Sequence, residues 1–292
     1  MPRSDLVLFL IPTAIWGSTW LAITFQLGGV APEASVAYRF ALGSAILFAW
    51  CAWRGLSVRF AARDHAWLAT FGVLMCGLNY IAIYWAERYV ASGLVAIVFS
   101  TIVFASPIGM RVFYGQRIAG RTWLAALLGV TGVALLFLPT LRDMHAGDRT
   151  ALGIALALVG TASATLGNLA AVRNQRASLP ILPTTAWGMA YGAATAVLAV
   201  TISGAAWTFE MTPGYVLSLL YLGVLGSVVA FVTYLELLAR VGVTRSSFVG
   251  VATPVIAIVL STFFEGYRWT PAAAVGIVLA VLGNVIALRG KR

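Results

Sequence analysis

Ten apolar runs, each about as long as a helix that crosses a bilayer, fill this chain almost from end to end. The hydrocarbon core of a membrane requires about 20 predominantly apolar residues per helix. The runs fall at 6–25, 34–53, 66–86, 91–110, 121–138, 151–170, 182–203, 213–235, 244–264 and 271–289. Little sequence remains for a soluble domain, so the runs predict an all-α integral membrane protein with ten transmembrane helices.

The composition supports this prediction. Hydrophobic residues make up 61% of the 292 residues, charged residues make up 10%, and the mean hydropathy is +0.94. A soluble domain of this size could not hide so much apolar surface. Within lipid, the backbone must satisfy its own polar groups, which leaves helices or closed barrels. Because the runs show no alternation of apolar and polar residues, they exclude a barrel.

The formal net charge of +10 has an uneven distribution along the chain. If the amino terminus is cytoplasmic, fourteen basic residues lie inside: Arg3, Arg54, Arg59, Arg63, Arg111, Arg117, Arg121, Arg173, Arg176, Arg240, Arg245, Arg289, Lys291 and Arg292. Four lie outside: Arg88, Arg142, Arg149 and Arg268. This asymmetry follows the positive-inside rule and predicts that both termini are cytoplasmic. The excess of basic residues therefore reflects membrane topology, and we expect the lipid bilayer, not a nucleic acid, as the partner.

The residues that usually perform catalysis or bind metals are scarce. The two cysteines, Cys51 and Cys76, form no CxxC pattern, and the two histidines, His65 and His145, are expected in or near loops on opposite sides. The chain contains no HExxH motif and no Walker pattern in its glycine-rich segments. We therefore predict that the chain is not an enzyme and holds neither a metal nor a cofactor.

The longest polar connection divides the ten runs into five and five. We predict a first five-helix repeat at 1–138, a connecting loop at 139–150 and a second repeat at 151–292. Shifting the second half back by 150 positions places Tyr234 on Tyr84. Because five is odd, the second repeat must enter the bilayer from the opposite side. Such inverted repeats are common in secondary transporters, with the substrate site near the midplane at the repeat interface.

Gly188 and Gly192 form a GxxxG motif in the seventh run. Such motifs let helix backbones approach closely in lipid. In a ten-helix protein the motif favours a contact within the chain, so a monomer is expected, but a dimer seam stays open as the alternative.

Three aromatic pairs have a spacing of four residues, so the members of each pair share a helix face. The pairs are Trp16 and Trp20, Tyr80 and Tyr84, and Trp187 and Tyr191. Neutral polar residues lie at comparable depths: Ser18, Thr19, Asn79, Ser100, Thr101, Thr165 and Asn168. A central cavity with these side chains would suit a small amphipathic solute. The alternative is ordinary helix packing together with an interfacial aromatic belt.

Arg39 is the one clear charge at depth within a run. It could pair with a substrate carboxylate, because a guanidinium matches that group geometrically. Alternatively, it reaches the outer headgroups or holds two helices together. The apolar runs contain no lysine, which disfavours phosphorylated substrates, and no carboxylate in mid-helix, which favours facilitated diffusion or loose proton linkage.

A family resemblance adds to this account. The segment Trp16-Gly17-Ser18-Thr19-Trp20, Arg39, and Pro254 followed by Phe264-Glu265 resemble the EamA group of the drug/metabolite transporter superfamily. One departure is Gly115-Gln116, where members often have Gly-Glu. The resemblance implies a small-metabolite exporter of the bacterial inner membrane, and the aromatic richness is similar to the YddG branch of amino-acid exporters.

Together these observations predict a secondary transporter that works by alternating access through a central aromatic-lined cavity. Amino acids are the first candidate substrates; purines, sugars or drugs are the alternative, and a channel is less favoured because ten helices with an inverted repeat are typical of carriers. The candidate substrate-binding residues are Trp16, Trp20, Arg39, Asn79, Tyr80, Tyr84, Ser100, Asn168, Trp187 and Tyr191.

Overall fold

The computed structural model describes residues 2–90, 92–136, 138, 149–264 and 269–289. Within these residues the chain forms ten long helical segments and no strand, as the apolar runs predict. They are α1 Arg3–Thr24, α2 Pro32–Trp53, α3 Ala62–Glu87, α4 Ser92–Ser100 continued by Ile102–Tyr114, α5 Gly120–Leu136, α6 Thr150–Arg176, α7 Ile181–Ser203, α8 Pro213–Val241, α9 Val249–Phe264 and α10 Pro271–Arg289. Eight of these described segments are long and apolar enough to cross a membrane, and α5 and α9 are shorter apolar helices.

Short local signals set the ends of these helices. Pro32 begins α2, where its missing N–H is not needed. The side chain of Thr212 caps α8 by accepting a hydrogen bond from the backbone N–H of Tyr215 at 3.4 Å. Gly115 and Gly204 end α4 and α7 in the left-handed region, with φ of 66° and 67°. These sharp ends leave short loops, so successive helices run antiparallel.

Two helices contain a π-helical segment that the apolar pattern does not predict. In α3 the segment spans Gly72–Leu78, and in α8 it spans Val224–Val229. The two segments occupy equivalent places in the third helix of each half. A π segment changes which carbonyl groups are free to accept other hydrogen bonds, and such segments occur frequently at functional sites.

Ion pairs show how the two halves are oriented. Arg240 at the end of α8 lies 3.5 Å from Asp5 at the start of α1, and Arg173 at the end of α6 lies 3.0 Å from Asp64 at the start of α3. We call this face of the bundle the inner end. Because α1 begins at the inner end and α6 finishes there, the second half is inverted relative to the first. That the inner end is cytoplasmic stays a prediction from the charge distribution.

The packing of the helices repeats when the two halves are exchanged. The most extensive contacts join α2 to α7 and α5 to α10, the equivalent helices of the two halves. In the same way, α1 packs on α8 and α9, and α6 packs on α3 and α4. This confirms the all-helical fold with two five-helix repeats. Of the predicted connecting loop 139–150, all but Arg149 and Thr150 lies outside the described residues.

The GxxxG motif of α7 is used within the chain. A Cβ added to Gly188 would lie 2.4 Å from the ring of Phe71, and one added to Gly192 would lie 2.4 Å from Cβ of Cys76. Only glycine permits α7 to approach α3 this closely. The motif therefore fixes α7 in the scaffold around the third helix.

Candidate functional site

A cavity of about 80 Å³ lies at the centre of the bundle, between the two halves. It is lined by the first, third and fourth helices of each half, which are α1, α3 and α4 with α6, α8 and α9. Its aromatic side chains are Trp16, Trp20, Tyr80, Phe99, Phe231 and Tyr234. Its neutral polar side chains are Thr19, Asn79, Asn168, Ser246, Ser247 and Thr253. None of the described lining residues carries a charge, so the cavity is apolar with a few hydrogen-bonding groups.

Two of these hydrogen-bonding groups have no partner among the described residues. They are the indole N–H of Trp20 and the side-chain oxygen of Asn79, and both atoms are buried. The amide nitrogen of Asn79 donates to the carbonyl of Met75 at 3.2 Å, inside the π segment of α3. That bond fixes the orientation of the amide and leaves its oxygen free. Unpaired buried polar groups are rare in native proteins, so this donor and this acceptor require an explanation.

Hydrogen bonds and ring contacts hold the aromatic wall in place. The indole N–H of Trp16 donates to the carbonyl of Gly226 at 2.9 Å, and its ring meets that of Phe231 edge-on at 5.3 Å. The hydroxyl of Tyr234 donates to the side-chain oxygen of Asn168 at 3.1 Å. These contacts join α1 and α6 to α8, so the wall is preorganised by contacts between the halves and within the second half.

Arg39 lies behind this wall and is fully buried. Its guanidinium lies 4.5 Å from the ring centroid of Tyr80. It donates to the hydroxyl of Ser227 at 3.0 Å, to the carbonyl of Gly226 at 3.3 Å and, at the longer distance of 3.5 Å, to the hydroxyl of Tyr84. These contacts tie α2 to α3 and α8. Of the three roles considered for Arg39 from the sequence, these contacts match the one that joins helices.

A vestibule of about 880 Å³ opens at the inner end. Its lining includes four arginines: Arg117, Arg121, Arg176 and Arg245. Val172 and Leu238 line the vestibule one helical turn beyond Asn168 and Tyr234, which line the cavity. The vestibule and the cavity therefore follow one another along α6 and α8.

The outer end, by contrast, is tied together by hydrogen bonds of two buried side chains, Glu33 and Gln26. The carboxylate of Glu33 accepts from the indole N–H of Trp85 at 3.1 Å and from the hydroxyl of Ser203 at 2.8 Å. The amide of Gln26 donates to the hydroxyl of Ser218 at 2.7 Å. These bonds join α2, α3 and α7, and α1 and α8. The described residues thus form a conformation that is open at the inner end and closed at the outer end.

The structure brings together half of the side chains selected from the sequence. Trp16, Trp20, Asn79, Tyr80 and Asn168 line the cavity. Arg39 and Tyr84 lie one layer behind it, as described above.

Three further candidates lie elsewhere, which corrects their expected place at the cavity. Trp187 donates to the carbonyl of Val58 at 2.8 Å, and Tyr191 lies 3.0 Å from the Nδ1 atom of His65. Their helix α7 belongs to the scaffold, so these rings pack near the inner ends of α2 and α3. The buried hydroxyl of Ser100 donates to a carbonyl of its own helix. His65, expected in or near a loop, lies in the first turn of α3, next to the loop that follows α2.

Sequence reasoning missed Phe99, Phe231, Tyr234 and the polar residues Ser246, Ser247 and Thr253. One signal could have found Tyr234, because it matches Tyr84 when the halves are compared at a shift of 150 positions. Phe231 lies one turn before it on the same face of α8. The cavity residues near the start of α9 show no pattern that separates them from other small polar residues.

Comparisons with known proteins agree with this geometry. The model of the EamA-like transporter family matches residues 3–138 and 151–289. The protein PagO of Salmonella typhimurium is 24% identical over 296 residues, which cover 97% of this chain and 92% of PagO. An Escherichia coli protein named a probable amino-acid metabolite efflux pump is 24% identical over 306 residues, which cover 100% of this chain and 98% of the relative.

Two more similarities bear on location and fold. YedA of Escherichia coli, described as an uncharacterized inner membrane transporter, is 24% identical over 282 residues, covering 95% of this chain and 88% of YedA. A protein of known crystal structure shares the fold with a TM-score of 0.80, at 19% identity and over 98% of this chain and 97% of its own length. These findings agree with the predicted multi-pass location in the bacterial inner membrane.

Proposed function

Because the chain belongs to the EamA-like transporter family and is a membrane transporter, we propose that it exports small neutral or zwitterionic metabolites, with amino acids as the first candidates. Transport proceeds by alternating access through the central cavity. The observation that carries this proposal is the pair of unpaired groups in that cavity, the N–H of Trp20 and the side-chain oxygen of Asn79.

An amino acid offers the complement of both groups. Its carboxylate can accept a hydrogen bond from the indole N–H of Trp20, and its ammonium can donate to the oxygen of Asn79. The apolar remainder of the lining suits a side chain, and aromatic walls with a few polar groups are typical of small-molecule sites. The name of the Escherichia coli efflux-pump relative adds support for this substrate class.

The uncharged lining argues against phosphorylated substrates. Phosphate groups are bound by cationic side chains that contact them directly. The four arginines of the vestibule lie outside the cavity, and Arg39 lies behind Tyr80.

The cavity has a volume of about 80 Å³, which is smaller than the roughly 300–1,000 Å³ of typical ligand sites, so it must widen when a substrate enters from the vestibule.

The arrangement of the halves supports a carrier over a channel. The cavity lies between inverted repeats, the inner end is open, and hydrogen bonds close the outer end. A carrier exposes such a central site to one side at a time, and inverted repeats allow the second state by exchanging the conformations of the two halves. A channel would need a path open at both ends.

Uptake of radiolabelled amino acids into proteoliposomes tests the proposal with two variants. Trp20→Phe removes the donor and Asn79→Ala removes the acceptor, and neither substitution adds volume to the lining of the cavity. Loss of a hydrogen bond of about 1.4 kcal/mol would raise KM about tenfold for the substrate that the wild type transports.

The matched control is Trp187→Phe, which removes an indole N–H that bonds to Val58, and neither residue lines the cavity. Its KM should equal that of the wild type. If both cavity variants transport with unchanged KM, the two groups do not bind the substrate. If no amino acid is transported by folded wild-type protein, the substrate belongs among purines, sugars or other small organic molecules.

A further inference from the structure

Glu87 ends α3 at the outer side of the cavity. Both oxygens of its carboxylate are buried and have no hydrogen-bond partner among the described residues. Glu87 lies one helical turn beyond Ile83 and two turns beyond Tyr80, which both line the cavity. These three positions share a face of α3. The carboxylate therefore lies in the closed outer half, beyond the cavity along the same face of α3.

A buried cation lies nearby without a carboxylate partner. Arg39 is fully buried and forms no ion pair within the described part of the chain; its hydrogen bonds go to neutral groups on Ser227, Gly226 and Tyr84. Its charge acts on Glu87, which follows Tyr84 by one turn, yet the two side chains do not meet. A buried charge without a partner is costly, so this conformation favours the neutral carboxylic acid.

The other charged groups near this end of α3 have contacts of their own. On α2, the carboxylate of Glu33 accepts the hydrogen bond from Trp85. On α3, Arg88 lies 4.9 Å from the ring centroid of Trp85, and next to α6 Arg149 lies 5.9 Å from that of Tyr89. The described stretch of α4 at this end, Ser92–Ser100, carries no charged residue. Arg39 is the described cation whose charge acts on the carboxylate of Glu87.

We propose that Glu87 is a proton-binding site, at which a proton from the outer side stabilises the inward-open state and its release allows the outer half to open. Opening brings water to the carboxylate, which then ionises with Arg39 as its counter-ion. This inference rests on the proposed alternating access. It replaces the expectation of loose proton linkage with a specific site, and it predicts that acid outside the cell favours the conformation described above.

The size of the effect follows from linkage. A group that binds a proton more tightly in one of two conformations shifts their equilibrium with pH. With one proton involved, the ratio of the two conformations changes by at most about tenfold per pH unit. The dependence should disappear when residue 87 can no longer ionise.

The test measures the width of the vestibule and needs no substrate, so its failure is separate from a failure of the transport assay. Nitroxide labels are attached at Thr122→Cys and Ala239→Cys, which line the vestibule from α5 and α8, after Cys51 and Cys76 are replaced by alanine. Pulsed electron spin resonance then gives the distribution of distances between the two labels in lipid nanodiscs. The measurement is repeated between about pH 5.5 and about pH 8.5, a range that lies above the ordinary pKa of an exposed glutamate.

In the wild-type background, the long distance of the open vestibule should dominate at low pH, and a shorter distance should gain population as the pH rises. Glu87→Gln should keep the long distance at every pH. Arg39→Gln should move the midpoint to higher pH, because the carboxylate loses its counter-ion. The control Glu236→Gln alters an exposed acid that pairs with Arg240 at the inner end, and it should behave as the wild type does.

Several results would overturn the proposal. A wild-type distribution that does not change with pH excludes a proton-linked conformational change. A pH dependence that survives in Glu87→Gln assigns the proton to another group. An unchanged midpoint in Arg39→Gln would mean that Arg39 is not the counter-ion of Glu87. Failure of Glu87→Gln to fold also contradicts it, since the neutral side chain is the form that the closed outer half is proposed to hold.

Discussion

The close approach of α3 to α7 predicts a large effect for one added methyl group. A Cβ on Gly72 would lie 2.2 Å from the carbonyl oxygen of Gly188 and 2.8 Å from Cβ of Tyr191. Because carbon atoms in favourable contact lie about 3.5–4.0 Å apart, Gly72→Ala must push the two helices apart by roughly 1 Å or more. Both atoms are fixed, one in backbone and one at the base of a side chain, so no rotamer change relieves the clash.

Overpacking of this kind costs about 1–3 kcal/mol, and the higher helix propensity of alanine returns up to about 1 kcal/mol of it. For a protein of this size, each kcal/mol corresponds to roughly 2–4 °C in Tm. Gly72→Ala should therefore lower the midpoint of thermal inactivation in detergent by several degrees. The ten tryptophans provide the fluorescence signal for the measurement.

Gly120→Ala is the matched control. Gly120 begins α5, and nothing lies within 4 Å of a Cβ added there. This variant should be as stable as the wild type or slightly more stable. A Gly72→Ala protein that melts at or above the wild-type temperature would refute the argument that glycine is needed for this helix contact.

Two further predictions concern the cavity wall and the orientation. Tyr234→Phe removes the hydroxyl that donates to Asn168 and leaves the side-chain oxygen of Asn168 buried and unpaired, at a cost of about 1–2 kcal/mol. The same melting assay should show a Tm lower by a few degrees. An unchanged Tm would mean that this hydrogen bond contributes no stability. Thr122→Cys, in a background without the native cysteines, should react with a membrane-impermeant maleimide added from the cytoplasmic side, because Thr122 lines the inner vestibule. Labelling only from the outside would show that the predicted topology is reversed.

The sequence predicts the architecture well, because the requirements of the bilayer are strong and local. Apolar length determines how many helices cross the membrane, and the odd number in each half determines the inversion. The observed helices extend a few residues beyond the apolar runs; α3, for example, begins at Ala62, where the run begins at 66. Polar residues at the ends, such as Asp64, continue the helix beyond the hydrocarbon core and form ion pairs at the inner end.

The candidate site is predicted less completely. Spacing shows which residues share a helix face, but not whether that face lines a cavity or packs against another helix. The spacing that selects Trp16 and Trp20 also selects Trp187 and Tyr191, yet the first pair lines the cavity and the second packs on the scaffold. The close glycine contacts of α7 decide the difference, and they depend on the partner helix. No rule of spacing identifies them in one sequence.

The two π segments were also beyond prediction from the sequence. Gly72–Leu78 and Val224–Val229 are as apolar as their neighbours, and only their hydrogen bonding distinguishes them. Nevertheless they shape the site. The carbonyl of Gly226 accepts hydrogen bonds from both Trp16 and Arg39.

The central claim is that a site between two inverted repeats carries solute across the membrane by facing one side at a time. Counterflow in proteoliposomes tests it most directly. Vesicles are loaded with an unlabelled amino acid, diluted, and supplied with a trace of the same compound in radiolabelled form. A carrier predicts transient accumulation of label above equilibrium, saturable and abolished when the interior is empty. Flux that rises linearly with concentration and never overshoots would contradict the account and indicate a channel.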